Sequence, residues 1–242
     1  MTNARRGDSE SEWTEHLDEL RRRLIVVLVI FAAAAGAAFR YSDAIVFFLM
    51  NPVLKFGVKL YTFAPAEKFL AYLEISLWTG AVIALPFALL QIGVFIRPGL
   101  RDNERVYAAA ALSVIPILFA GGAALAYFCL SPIVMRFFLS FAGGDAVDSL
   151  WGLREYLKIL FDIMLASGLA FQTPLVMLLL FAVGATTPRK AARYRPHIAL
   201  VIFFMAAVLT PPDVISQIAL GVPLYLLFEL SLLLGRLIRP KS

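Results

Sequence analysis

Six long apolar runs constrain this chain more than any other feature. They cover residues 24–39, 75–96, 107–131, 163–183, 198–209 and 218–235. A helix needs about 20 apolar residues to cross the ~30 Å hydrocarbon core of a bilayer. Hydrophobic residues make up 61% of the 242 residues and charged residues only 16%, whereas soluble domains average about 45–50% and about 25%. The chain is therefore predicted to be an all-α, polytopic membrane protein with six transmembrane helices.

The last two predicted helices are short. The fifth run, residues 198–209, extends only about 18 Å at ~1.5 Å per residue, and the sixth run is also on the short side. Prolines lie inside several runs, where they bend helices and free backbone carbonyls: Pro86, Pro116, Pro174 and Pro223. Between the first two helices, residues 44–49 are too few to span and are predicted to form a helix lying at the membrane interface.

The positions of the basic residues predict the orientation. Of the 22 Lys and Arg residues, 15 fall in the N-terminal tail, the second–third and fourth–fifth connections and the C-terminal tail. Cytoplasmic loops carry such an excess, so both termini are predicted to be cytoplasmic. We expect one membrane domain over 1–242, with a cytoplasmic amphipathic entry at 1–23, the six-helix bundle at 24–235 and a cytoplasmic tail at 236–242. The basic charge is thereby explained without nucleic acid.

One alternative concerns the first segment, where Arg21–Arg23 precede an apolar run and a stretch of alanines, as in a cleavable signal peptide. Against cleavage, the preceding tail is long and carries six acidic residues. Removal would also leave five helices and export the mature N-terminus. We therefore expect the segment to be retained.

Few residues suit metal or catalytic chemistry. Two histidines (His16 and His197) and one cysteine (Cys129) are too few for a zinc site, which wants about four clustered ligands. No HExxH motif and no Ser/His or Asp/Asp pair occurs at membrane depth. We expect no metal, no cofactor and no enzymatic activity. A small-solute secondary transporter and a membrane scaffold remain as alternative functions; the transporter would normally show inverted repeats.

Five motifs together carry a resemblance. Residues 16–24 match H-L-x-E-L-R-x-R-L, residues 95–105 match F-x-x-P-x-L followed by E-R, residues 168–174 match G-x-x-F-E/Q-x-P, residues 210–217 match T-P-P-D-x-x-S-Q, and residues 223–229 end on a glutamate. In this order and spacing the chain resembles the TatC family, a subunit of the twin-arginine protein translocase. The resemblance implies a bacterial cytoplasmic membrane protein that binds twin-arginine signal peptides. It also implies single-span partner subunits of the TatA/TatB type, in a multimeric complex that exports folded proteins with the proton-motive force.

The resemblance implies where the signal peptide binds. A pair of arginines is complemented by carboxylates that accept bidentate hydrogen bonds, and the matching motifs contain Glu19 and Glu104. Arg21 would orient Glu19 or anchor the helix to headgroups, and Phe95 and Pro98 would shape the loop. The alternative for Glu19 is an intrahelical pair with a nearby arginine, worth only ~0.2–0.5 kcal/mol. The alternative for Glu104 is a first-turn residue of the third helix.

Polar residues within the later helices form a second group of candidates. Gln172 stands where many family members have glutamate, and since an amide does not titrate it is expected to contact a partner helix or to form an ordinary interhelical hydrogen bond. Glu229 has no basic residue within four positions, so we expect it to be protonated or to face a polar cavity. The turn Pro211, Pro212 and Asp213 is structural, with Asp213 capping the last helix.

Overall fold

A computed structural model describes residues 4–96, 112–141, 150–210 and 213–238 of the chain. Within these ranges the structure is almost wholly helical. The helices are α1 (Ala4–Arg40), α2 (Ser42–Leu54), α3 (Glu67–Ile96), α4 (Ile115–Leu125), a π-helical turn (Ala126–Leu130), α5 (Ser131–Phe141), α6 (Leu153–Ala170), α7 (Thr173–Ala182), α8 (Pro188–Arg193), α9 (Arg195–Leu209) and α10 (Val214–Ile238). Two short strands, β1 (Leu60–Tyr61) and β2 (Trp151–Gly152), pair in parallel.

Five segments of the described chain are long and apolar enough to cross a membrane. They are Leu17–Arg40, Glu67–Val94, Ile115–Ser140, Leu153–Phe181 and Val214–Arg236, and α2 and α9 are shorter apolar helices. The predicted all-α polytopic fold is confirmed, including the short fifth membrane helix, since α9 has 15 residues. The expectation of a short sixth helix is wrong. The helix begins at Val214, before the apolar run at 218–235, and continues past Arg236, so that α10 has 25 residues.

Consecutive membrane segments pack antiparallel. Gly80 of α3 lies against Ala35 of α1 so closely that an added Cβ would come within 2.8 Å of the alanine Cβ, and a hydrogen bond joins the same two helices at Arg23 and Gln91. The third and fourth membrane segments are also antiparallel, since Gln172, late in the fourth, contacts Ile115 at the start of the third. Likewise, Gln217 near the start of α10 contacts Phe203 in the second half of α9. The start of α1, the end of α3 and the end of α10 therefore lie on one side, which we name the terminal side. The opposite side is the loop side.

Proline positions explain where the apolar runs divide. Pro116 and Pro174 fall in the first turns of α4 and α7 rather than inside helices. A first-turn residue needs no intrahelical N–H donor, so proline is tolerated there and the preceding helix ends. The run at 163–183 is accordingly broken after Ala170, where Thr173 Oγ1 donates to the freed carbonyl of Ala170 at 2.6 Å. Pro86 and Pro223 remain within α3 and α10.

The core lies around α6, α10 and the π-helical turn. Its largest fully buried side chains include Tyr156, Phe228, Leu130, Leu220 and Leu232. By contrast α1 packs chiefly on α3 and leaves most of its apolar surface uncovered. On the loop side the two strands tie the connection after α2 to the connection before α6. The bundle is thus dense at its C-terminal half, whereas the α1–α3 hairpin stands at its edge.

Candidate functional site

A cleft of about 500 Å³ opens on the terminal side, where α1 and α3 meet. It is lined by Asp18, Glu19, Arg22, Arg23 and Val26 of α1 and by Gln91 of α3. The amphipathic sequence at the start of α1 explains this composition, because its charged face turns toward α3 at the level where the apolar run ends. Two carboxylates and two guanidinium groups therefore share one opening at the expected membrane boundary.

Glu19 is held by a network within the cleft. Arg23 Nε donates to Glu19 Oε1 at 3.1 Å, and a second guanidinium nitrogen of Arg23 contacts the same oxygen. Arg23 Nη1 donates in addition to Gln91 Oε1 at 2.8 Å. The Glu19 side chain remains 38% exposed, whereas that of Arg23 is 20% exposed. The pair predicted from the i,i+4 spacing is thus present, and it leaves the carboxylate accessible from the cleft.

Of the other residues expected at this site, two are described by the structure and two are not. Arg21 is exposed on α1, and Phe95 lies in the last turn of α3. Pro98 and Glu104 lie outside the described residues, so the convergence of Glu104 with Glu19 stays a prediction. Sequence reasoning missed Gln91, although a polar residue in the apolar run at 75–96 was a usable signal.

Asp18 was also missed, since no motif position singled it out. It lines the cleft beside Glu19 and is exposed. Two adjacent carboxylates in one cleft provide acceptors for more than one guanidinium group. The cleft is therefore better suited to a paired cation than Glu19 alone would be.

Gln172 occupies the turn between α6 and α7 and is only 4% exposed. Its Nε2 donates to the carbonyl oxygens of Ile115 at 3.3 Å and Gly168 at 3.4 Å. These contacts match the interhelical alternative considered for this residue. Its Oε1 is buried and has no hydrogen-bond donor among the described residues. A contact between Gln172 and a partner helix stays a prediction.

Glu229 has a basic partner that its sequence neighbourhood does not contain. Arg195, at the start of α9, donates Nε to Oε1 at 2.7 Å and Nη2 to Oε2 at 2.8 Å. Tyr225, one turn earlier on α10, donates its hydroxyl to Oε1 at 3.1 Å. This bidentate ion pair contradicts the expectation that Glu229 is protonated, whereas the alternative that it faces a polar cavity stays a prediction. Antiparallel packing of α9 and α10 brings Arg195 and Glu229 together across 34 positions.

Asp213 lies immediately before α10, and its Oδ2 accepts a hydrogen bond from the backbone N–H of Ser216 at 2.7 Å. This is N-cap geometry, which satisfies one of the unpaired donors in the first turn of the helix. Pro211 and Pro212 lie outside the described residues. The role of Asp213 here is local and structural.

Comparison with known proteins agrees with this architecture. The family model described as "Sec-independent protein translocase protein (TatC)" matches residues 15–223. The chain is 33% identical to the Sec-independent protein translocase protein TatC of Carboxydothermus hydrogenoformans over 229 residues, covering 94% of each chain. It is 34% identical to the protein of the same name from Aquifex aeolicus, covering 95% of this chain and 96% of the relative.

Solved structures show the same similarity in three dimensions. A crystal structure of a twin-arginine translocase receptor, TatC, superposes with a TM-score of 0.73 at 33% identity, covering 92% of this chain and 99% of that one. A second crystal structure of a TatC receptor, in the detergent DDM, superposes with a TM-score of 0.75 at 32% identity, covering 91% and 99%. The likeness extends over nearly the whole of both chains.

Proposed function

Since the chain belongs to the TatC family of Sec-independent protein translocases, we propose that it is the subunit that binds twin-arginine signal peptides, at the cleft between α1 and α3. Its place in twin-arginine protein transport as a multi-pass membrane component follows from the family. Binding of the signal peptide by this chain is the part that we add as a proposal. The observation that carries it is the pair of accessible carboxylates, Asp18 and Glu19, in one cleft on the terminal side.

The proposed orientation puts this cleft on the cytoplasmic side. Of the 22 Lys and Arg residues, 15 fall by sequence in the two tails and in the second–third and fourth–fifth connections, and an excess of Lys and Arg marks cytoplasmic loops. Signal peptides are presented from the cytoplasm, so a receptor cleft has to open there. Both termini and the second–third connection, which contains Glu104, would then lie on the same cytoplasmic surface in a bacterial membrane.

The hydrogen bonds that hold Glu19 in the free protein allow a peptide arginine to replace Arg23 as its partner. An i,i+4 ion pair on a helix surface contributes only ~0.2–0.5 kcal/mol, so the pairing of Glu19 with Arg23 is easily displaced. A hydrogen bond to a charged group contributes about 1.5–3 kcal/mol when it is well formed and partly shielded. Arg23 reaches only Oε1 of Glu19, so an incoming guanidinium that binds both carboxylate oxygens gains a contact that the internal pair lacks and can displace it. Arg23 keeps its hydrogen bond to Gln91 and is not left without a partner.

Arginine is favoured over lysine by the shape of the acceptors. The planar guanidinium donates two parallel hydrogen bonds to one carboxylate, whereas an ammonium acts as a point charge. With Asp18 and Glu19 both facing the cleft, each arginine of the pair has an acceptor of its own. Replacement of the arginine pair by lysines should therefore weaken binding even though the charge is unchanged.

Transport itself involves other subunits. The family resemblance suggests single-span partners of the TatA/TatB type, assembly into a multimer and use of the proton-motive force. Gln172 does not titrate, so proton coupling is proposed to run through groups other than this one.

The 15 residues of α9 extend about 22 Å, less than the ~30 Å hydrocarbon core, so this helix is proposed to thin the bilayer locally and ease insertion of a signal hairpin or a partner helix.

Peptide binding to the full chain in lipid nanodiscs tests the receptor proposal. A fluorescent twin-arginine signal peptide should bind saturably, and a Lys-Lys version should bind at least tenfold more weakly. Glu19→Ala and Glu104→Ala should each weaken binding of the Arg-Arg peptide and leave membrane insertion intact. Glu155→Ala, an exposed carboxylate on the loop side, is the matched control and should bind as the unchanged chain does. Equal binding of the two peptides, or no loss in either glutamate variant, would contradict the proposal.

A further inference from the structure

An apolar groove of about 240 Å³ follows the α1–α3 contact within the membrane segment. One wall is formed by α1, with Leu24, Val27, Leu28 and Phe31, and the other by α3 side chains that include Ala81 and Ala88. The alanines of α3 leave the space that larger residues would fill. Leu28 is 61% exposed, so the groove is open toward its surroundings.

The groove continues the charged cleft along the same pair of helices. On α1, Val26 lines the cleft and Val27 lines the groove; on α3, Gln91 lines the cleft and Ala88 lines the groove. From Glu19 to Leu24 the helix rises about 7.5 Å, which about two extended residues of a bound chain would span. Along α1, the two carboxylates of the cleft are thus followed within a short distance by the apolar groove.

From this series we infer that the groove binds the apolar segment that follows the arginine pair of the same signal peptide. The inference rests on the proposed function of the cleft. Signal peptides carry a basic region followed by about 7–15 apolar residues. The groove from Leu24 to Phe31 is about 10 Å long, the length of a seven-residue helix, and so fits the shortest such segment.

The order of charge and apolar surface selects this occupant. A lipid tail or an apolar helix fills a trough, but only a chain with cations directly before its apolar part satisfies Asp18, Glu19 and the groove together. The groove then holds the apolar segment beside α1 at the depth where that segment leaves water. Binding would depend on both parts of the peptide and on the short distance between them.

Disulfide crosslinking tests where the apolar segment lies. Cys129 is exposed and is first replaced, in a Cys129→Ser background of the full chain in nanodiscs. Leu28→Cys is placed in the groove, Val29→Cys at equal 61% exposure outside it, and Val26→Cys in the cleft. A signal peptide with a cysteine in the middle of its apolar segment should crosslink at 28 at least fivefold more than at 29. A peptide with its cysteine beside the arginines should crosslink at 26.

The outcomes separate this inference from the proposed function. Crosslinking at 26 with equal yields at 28 and 29 would overturn the groove and leave the receptor standing. Loss of crosslinking at 26 as well would overturn both. Disulfide dimers of Leu28→Cys that form without peptide, and that peptide does not displace, would assign the groove to a second copy of the chain and also overturn the inference.

A filled groove provides an independent measurement. Ala88→Leu places a larger side chain in the trough and should weaken binding of the Arg-Arg peptide about tenfold, without changing the preference for Arg-Arg over Lys-Lys. Ala33→Leu, at an exposed position of α1 outside the groove, is the matched control and should bind normally. Unchanged binding in Ala88→Leu would contradict the inference.

Discussion

A proline in α2 leaves one backbone carbonyl without its helical hydrogen-bond donor, and a tyrosine from another helix supplies that donor. Pro52 has no N–H, so the carbonyl of Phe48, four residues earlier, lacks its normal helical donor. Tyr127, in the π-helical turn, donates its hydroxyl to this oxygen at 2.6 Å, and the two rings stack at 4.6 Å between centroids. Tyr127→Phe keeps the ring and removes only the donor. The substitution should therefore lower the free energy of unfolding by about 1–3 kcal/mol, because it leaves a partly buried carbonyl without a donor.

Tyr156 provides the matched control. Its hydroxyl donates to the carbonyl of Leu49 at 2.7 Å, and Val53, four residues after Leu49, keeps the backbone N–H that Pro52 lacks. Tyr156→Phe leaves no carbonyl unpaired and should cost only about 0.5–1.5 kcal/mol. The difference between the two tyrosines isolates the effect of the missing proline N–H.

Unfolding of the full chain in mixed detergent micelles measures both variants. The decisive comparison is Tyr127→Phe in the Pro52→Ala background, because the alanine restores an N–H for the Phe48 carbonyl. There the tyrosine substitution should cost less than about 1 kcal/mol, giving a clear coupling between the two positions. Equal costs in both backgrounds would refute the reasoning.

Three further predictions concern the later helices. Arg195→Glu and Glu229→Arg should each lower the thermal melting temperature of the purified chain, and the double exchange should recover part of the loss; additive losses would contradict the ion pair. Insertion of about four residues, one turn, into α9 should reduce export of a twin-arginine reporter protein, whereas unchanged export would contradict membrane thinning. Gln172→Glu replaces a donor to Ile115 by a buried carboxylate, so its melting temperature should rise as the pH falls from about 8 to about 5, with no such rise in the unchanged chain.

The helical architecture was predictable because lipid imposes a long apolar run on each spanning helix. Helix ends were less predictable, since helices continue past their apolar runs into segments that mix polar and apolar residues. Glu67 begins α3 eight residues before the predicted start at 75, and α10 begins at Val214 rather than 218. Where a proline falls in a first turn, as Pro174 does, it divides a run that composition alone presents as continuous.

The site was predictable where its contacts are local. The pairing of Glu19 with Arg23 follows from i,i+4 spacing on one helix. The contact of Arg23 with Gln91 and the pair of Arg195 with Glu229 join residues that only helix packing brings together. Periodicity along one helix indicates which face is polar, but it does not identify the residues of the next helix that meet this face, so such partners emerge only from the folded structure.

A double-mutant cycle between the receptor and its ligand tests the central claim most directly. Binding of the Arg-Arg signal peptide and of peptides with a single Arg→Lys change is measured for the unchanged chain, Asp18→Asn and Glu19→Gln in nanodiscs. If these carboxylates contact the arginines, each variant should weaken Arg-Arg binding about tenfold, about 1.4 kcal/mol, and should lose most of its preference for arginine at one peptide position. The same fold loss for every peptide would contradict the account, because it would place Asp18 and Glu19 outside contact with the arginine pair.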